Sequence, residues 1–185
     1  HYPRFDLAMM LFEDKQYQAA KTELELAQPH LALPLQRLVD QILANMQKAQ
    51  RWQPSLNLSY ESTDNVNQAS DLKEIRLGNA TFVRSGDSLP QSAHGIDYTL
   101  GASRELNLSG NHYLYSNFEV DGVDYWDNHD YSEITARANL GYRYKDIHQS
   151  WGVIPLFEQN WLGGDRYNQN YGATLEYNRQ LNQQW

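Results

Sequence analysis

The sequence predicts an α plus membrane β fold. A short helical segment precedes about six antiparallel strands that form the N-terminal part of a larger outer-membrane β-barrel. Three observations predict it. Apolar residues recur at helical spacing up to residue 50 and at a spacing of two from residue 51. Each alternating run covers about ten residues, the length of a tilted strand crossing a bilayer, whereas strands of soluble domains average about five or six. No run of about 18 apolar residues occurs, so no helix crosses a membrane, but a barrel strand needs only every second residue apolar. A mean hydropathy of −0.74 therefore leaves the membrane open.

Residues 4–47 read as helices. Phe5, Ala8, Met9, Leu11 and Phe12 share one stripe, and Tyr17, Ala20, Leu24 and Ala27 share a second. Pro29 and Pro34 punctuate the chain before a third stripe of Leu35, Leu38, Val39, Ile42, Leu43 and Met46. The run from Leu11 through Tyr17 and Ala20 to Ala27 resembles a tetratricopeptide (TPR) helix hairpin, with small alanines where two helices approach. Lys15 stands where that repeat usually has Gly. One such hairpin cannot cover its own apolar faces, so further helices are expected before His1.

The period changes at Arg51. Trp52, Leu56, Leu58 and Tyr60 alternate with polar residues, and a polar stretch over 62–92 holds a weak extended segment near Ile75 to Val83. Ile96, Tyr98, Leu100 and Ala102 mark a second strand, and Leu114, Phe118 and Val120 a third. The clearest alternation is over residues 131–145. Ile134, Ala136, Ala138, Leu140, Tyr142 and Tyr144 lie on one face, opposite Thr135, Arg137, Asn139, Gly141 and Arg143. The run from Trp151 to Phe157 is the least clear strand, because both faces are apolar and Pro155 removes a ladder donor. Tyr171, Ala173, Leu175 and Tyr177 mark the sixth.

Three features favour a barrel over a soluble sandwich. The runs are long. The polar face mixes charges of both signs with glycines, so Glu119, Arg137, Arg143, Glu176 and Asn178 are the candidate lumen-lining residues. Short turns (106–111, 145–150, 181–185) are expected to alternate with longer polar loops (62–92, 122–130, 162–168), as in outer-membrane barrels. In addition to these three, aromatic residues gather at strand ends, as in an interfacial girdle. Six strands cannot close such a barrel, so the remaining strands are expected after Trp185, and 181–185 is expected to be the turn that leads to them.

Four segments then carry a resemblance. They are Ser92-Ala93-His94-Gly95-Ile96-Asp97-Tyr98-Thr99-Leu100-Gly101, Gly110-Asn111-His112-Tyr113, Tyr125-Trp126-Asp127-Asn128 with Glu133 to Arg137, and Pro155-Leu156-Phe157-Glu158-Gln159 with Trp161 and Gly163-Gly164. With Asp64-Asn65-Val66-Asn67 they resemble, in order, the Slam family of surface lipoprotein assembly modulators. The resemblance implies a 14-stranded outer-membrane barrel behind periplasmic TPR repeats. It implies export of particular surface lipoproteins or secreted small β-barrel proteins. The expected division is 1–50, a periplasmic TPR-like segment, and 51–185, the first part of the barrel.

Little points to catalysis. The chain has no Cys, no Gly-x-Ser-x-Gly, no P-loop and no His-Glu-x-x-His. His94, His112, His129 and His148 fall at strand ends or in turns, and His129 near Asp127 and Asp130 is the best metal candidate, read as a solvated loop. The expectation is a non-enzyme without cofactor or metal. Its partners are a client lipoprotein or secreted protein, a periplasmic chaperone, outer-membrane lipid and the barrel-assembly machinery. A net charge of −8 argues against nucleic acid. The alternatives are a TPR-plus-barrel polysaccharide-export porin and a soluble β-rich binding domain. Start at His1 without Met agrees with trimming of an exported chain.

Overall fold

The computed structural model describes residues 2–180. Three helices open the chain: α1 (Tyr2–Glu13), α2 (Tyr17–Ala27) and α3 (Leu33–Gln50), with a 3-10 turn at Gln28–His30. Their apolar stripes meet as the periodicity requires. Ala8, Leu24, Ala27, Leu31, Val39 and Met46 form a core, and Phe5, Phe12, Tyr17, Leu35, Ile42 and Leu43 pack around it. Ala8, Ala20 and Ala27 are wholly buried, which lets α1 and α2 approach closely. Pro34 sits in the first turn of α3, where its missing N–H leaves no intrahelical bond unmade. Lys15 turns the chain between α1 and α2 at φ 56°, the left-handed conformation that Gly reaches without a Cβ penalty.

Eight strands follow: β1 (Gln53–Thr63), β2 (Glu74–Leu77), β3 (Ala80–Val83), β4 (Ala93–Ser109), β5 (His112–Tyr125), β6 (Glu133–Lys145), β7 (Gln149–Leu162) and β8 (Asp165–Arg179). Six form one antiparallel sheet in the order β1-β4-β5-β6-β7-β8, and β2 pairs only with β3. That small hairpin is the extended segment expected near Ile75. Among the described residues the sheet is not closed, and β1 and β8 are its edges. Among the described residues no helix is long and apolar enough to cross a membrane.

The connections differ from expectation. The six strands of the main sheet run to 11–17 residues, so they absorb much of what reads as loop. The turn expected at 106–111 shrinks to Gly110-Asn111, and the loop expected at 122–130 begins only after Tyr125. The long loop expected over 162–168 is a correction. Gly163-Gly164 alone connect β7 to β8, at φ 57° and 89°, as a two-residue hairpin with both positions left-handed requires. The expected alternation of short and long connections therefore fails here. The turn expected over 181–185 lies outside the described residues.

Pro155 lies inside β7, between two neighbours. The β6–β7 register passes from Asn139↔Leu156 to Tyr142↔Val153 without pairing Leu140 and Gly141. The break falls where the proline has no N–H to give. Ile154 packs there against Gly141, at which a Cβ would lie 2.7 Å from the Ile154 Cα. Ile154 is thereby buried, and the apolar character of both faces of this strand is explained.

The sheet has one apolar and one polar face. Leu175, Leu140, Leu100 and Ile134 share the apolar face and remain 77%, 57%, 50% and 40% exposed. Nothing among the described residues packs over it as a second layer. A soluble sandwich would bury these side chains and leave the charges in water. The charged residues of the opposite face are the more enclosed. The Arg143 and Arg137 side chains retain only 21% and 34% of their surface.

The helices dock on one end of the sheet. The Gly110 N–H donates to the Lys15 carbonyl at 3.0 Å. Lys15 Nζ donates to Asn111 Oδ1 at 2.9 Å and to the Lys145 carbonyl at 3.2 Å. Arg104 Nε donates to the carbonyl of Gln50, the last residue of α3. The helical segment is therefore attached at both its first turn and its end.

Candidate functional site

The polar face carries the most organised chemistry in the molecule. Register fixes it: Glu119 lies opposite Arg137, which lies opposite Glu158. Gly152 lies between Arg143 and Glu176 across three strands. In an antiparallel sheet such opposed side chains are close enough to bond directly.

Two networks result. In the first, Arg137 Nε donates to Glu158 Oε2 at 2.8 Å, and Nη1 donates to Glu119 Oε1 at 3.0 Å and to Asp121. The other Glu158 oxygen accepts from Asn160 at 3.0 Å and Asn170 at 2.9 Å. One cation thus meets three carboxylates, a local charge of 1 − 3 = −2. In the second, Arg143 grips Glu176 with two bonds, at 2.8 and 2.9 Å, and reaches Glu105 at 3.1 Å. Lys145 also bonds Glu105. Arg143 lies 4.1 Å from the centre of the Tyr115 ring, and Lys145 lies 5.1 Å from that of Tyr113. Two cations meet two carboxylates, so this network is neutral. The neutral network lies toward the helices and the acidic one farther away.

In both networks every charged side chain has an oppositely charged partner within bonding distance, though only the second balances its charge. Glu119, Arg137, Arg143 and Glu176 all belong to them. Asn178, paired with Ser150 in the sheet, lines a recess with Arg143 and Glu176, and its side chain makes no hydrogen bond among the described residues. The residues that sequence reasoning missed are Glu105, Asp121, Glu158 and Lys145. Glu105 and Asp121 fall beyond the strand ends as read from alternation, and Glu158 falls in the ambiguous fifth strand.

The far end of the sheet is held differently. The backbone N–H of His94 donates to Asp127 Oδ1 at 2.8 Å, and the His94 ring meets Oδ2 at 2.6 Å. These bonds, the backbone one foremost, hold the Asp127 carboxyl below the usual carboxylate range. In the turn at the helical end, the N–H groups of His148 and Gln149 do the same for Asp146. His129 faces Asp124 at 3.7 Å rather than Asp127, as the sequence had paired it, because Asp127 is engaged by His94. Among the described residues no group of three His, Asp or Glu could hold a metal ion.

The family model described as "Surface lipoprotein assembly modifier" matches residues 52–185, a range that includes every described strand. The chain belongs to that family. It is 28% identical to the surface lipoprotein assembly modifier of Pasteurella multocida (strain Pm70), covering 98% of this chain and 37% of the relative. It is 27% identical to surface lipoprotein assembly modifier 1 of Neisseria meningitidis serogroup B, covering 98% and 36%. It is 29% identical to the hemophilin secretion modulator of Acinetobacter baumannii, over 75% of this chain and 30% of that protein. The chain thus spans little more than a third of the length of these assembly modifiers. None of these names describes an enzyme. No solved structure matches it.

Proposed function

We propose that the strands of this family member form part of an outer-membrane β-barrel. The protein of which they are part would be a translocator carrying specific surface lipoproteins, or secreted small β-barrel proteins, across that membrane. The observation that carries the reading is the inverted sidedness of the sheet: exposed leucines on one face, enclosed ion pairs on the other. Lipid replaces water as the solvent of the leucine face, and the charged face becomes the lumen wall lined by Glu119, Arg137, Arg143, Glu176 and Asn178. The aromatic positions support it. Trp151 and Trp161 lie on one face of β7, ten residues apart. That is about 33 Å of strand, or about 25 Å along the normal at a tilt of about 40°, the height of an apolar membrane band. Gln159 falls within the band, but its amide is spent on the carbonyls of Asn160 and Asn168.

In this reading residues 51–185 supply the first strands of the barrel, delivered by the barrel-assembly machinery. Residues 1–50 form a TPR-type periplasmic hairpin that collects the client or its chaperone. The names of the relatives, which speak of surface lipoproteins and of hemophilin secretion, supply the client class. No covalent step is needed, only recognition and a path.

The test is deletion of the gene followed by measurement of surface display of a lipoprotein encoded beside it. Display should fall and return on complementation. Unchanged display with lost polysaccharide would instead favour a glycan porin. Separately, Trp fluorescence in brominated-lipid bilayers should be quenched. A protein monodisperse without detergent would end the barrel reading.

A further inference from the structure

Outside the two lumenal networks, one charged feature stands against the character of the chain. The chain carries a net charge of −8, yet one cleft at the helix–sheet junction is basic. Its volume is about 520 Å³, and Lys21, Glu25, Gln50, Arg51, Trp52 and Arg104 are among its lining residues. Three cations and one carboxylate give a local charge of 3 − 1 = +2. Lys21 and Glu25 approach each other at 3.8 Å. Arg51 makes no ion pair among the described residues. Arg104 spends Nε on the Gln50 carbonyl, and its terminal nitrogens make no ion pair among the described residues.

The position of the cleft says what it faces. Arg104 lies on the apolar side of β4, one step beyond Ala102. Its guanidinium stands 6.0 Å from the centre of the Trp52 ring, and that ring lies 5.8 Å from Phe118, within the leucine face. The basic groups therefore border the apolar band at its helix-proximal rim, with a half-exposed tryptophan between.

We infer that this cleft binds the phosphate of an anionic phospholipid headgroup in the leaflet next to the helices, with the acyl chains lying along Phe118 and its neighbours. Arg51 and Arg104 supply the charge, and Trp52 marks the interfacial depth. The inference rests on the barrel reading. A peptide arriving from the aqueous side would have no use for the shared border with the apolar face.

The protein is purified in detergent after reconstitution with phosphatidylglycerol or phosphatidylcholine, and retained lipid is counted by native mass spectrometry. Phosphatidylglycerol should be retained over phosphatidylcholine, and Arg51→Gln/Arg104→Gln should lose roughly tenfold or more of that preference, because each basic group at an anionic surface contributes about fivefold. Arg76→Gln, in the β2–β3 hairpin, should change nothing. Equal retention by the double variant would overturn the proposal. So would displacement of the lipid by millimolar inorganic phosphate, which would make the ligand a free ion, or by an acidic peptide, which would make it a polypeptide site. Mobility on gels before and after boiling keeps the two readings apart. A folded barrel that shifts on boiling but shows no lipid preference loses only the headgroup site, and a protein with no shift loses the barrel.

Discussion

Removing the Arg137 guanidinium gives the sharpest test of the polar-face networks. Arg137→Met keeps the length of the side chain and leaves Glu119, Asp121 and Glu158 facing one another. Their carboxylates now share one cation, so they lie about 5–6 Å apart, and each pair would repel by about 3 kcal/mol at an effective dielectric of 20. The side chains are 19–37% exposed, so water and rotation away from one another absorb much of this. The expected cost is about 1–3 kcal/mol, below that of breaking a fully buried pair. Urea unfolding of the detergent-folded protein, read by Trp fluorescence and by gel mobility before boiling, measures it. Adding Asp121→Asn and Glu119→Gln should recover more than half of it. Arg76→Met, on the exposed β2–β3 hairpin, should stay within about 0.5 kcal/mol of the parent. An Arg137→Met protein as stable as the parent at pH 8 would refute the idea that this network stiffens the sheet.

Three further outcomes are expected. Gly163→Val should destabilise by about 1–3 kcal/mol in the same assay, because φ is 57° and a Cβ would lie 2.8 Å from the Asp130 carbonyl oxygen; an unchanged midpoint would mean the turn rearranges freely. Lys15→Gly keeps the left-handed turn but removes the ammonium from Asn111 and Lys145, so spin-label distances between α2 and the β4–β5 turn should broaden. Lys15→Met, which loses the ammonium and keeps the backbone strain, should broaden them at least as much. The Asp127 carboxyl titrates below its ordinary value in the folded state. The contact with His94 is therefore present above the unfolded value, about 4, and is lost as pH falls through the lower folded value. Protection of the His94 amide against hydrogen exchange, corrected for intrinsic rate, should drop over that window and be absent at all pH in Asp127→Ala, which has no side-chain acceptor.

The two periods placed every helix and every long strand, and parity put Ile134, Leu140 and Arg137 on their correct faces. Alternation is a local property, so one chain displays it. The ends of elements are not local. Glu105 and Asp121 lie past the point where apolar alternation stops, yet cross-strand bonds continue there. Gly163-Gly164 reads as a loop because glycines mark both loops and tight hairpins, and only the pairing of Leu162 with Asp165 distinguishes them. The partners of Arg137 depend on register across β5, β6 and β7, which no single strand specifies. Lys15 looked like a departure from a helix-hairpin repeat. Its reason lies in the sheet, about a hundred residues away in the chain, where its ammonium is bound.

That attachment has a consequence for anything the helices hold. With Lys15 pinned to the β4–β5 turn and the tail of α3 gripped by Arg104, the helical hairpin cannot swivel about a single hinge. It stands over β4, β5 and β6 as a fixed bracket. A client held as proposed above would be offered at one compass bearing, always to the same strands.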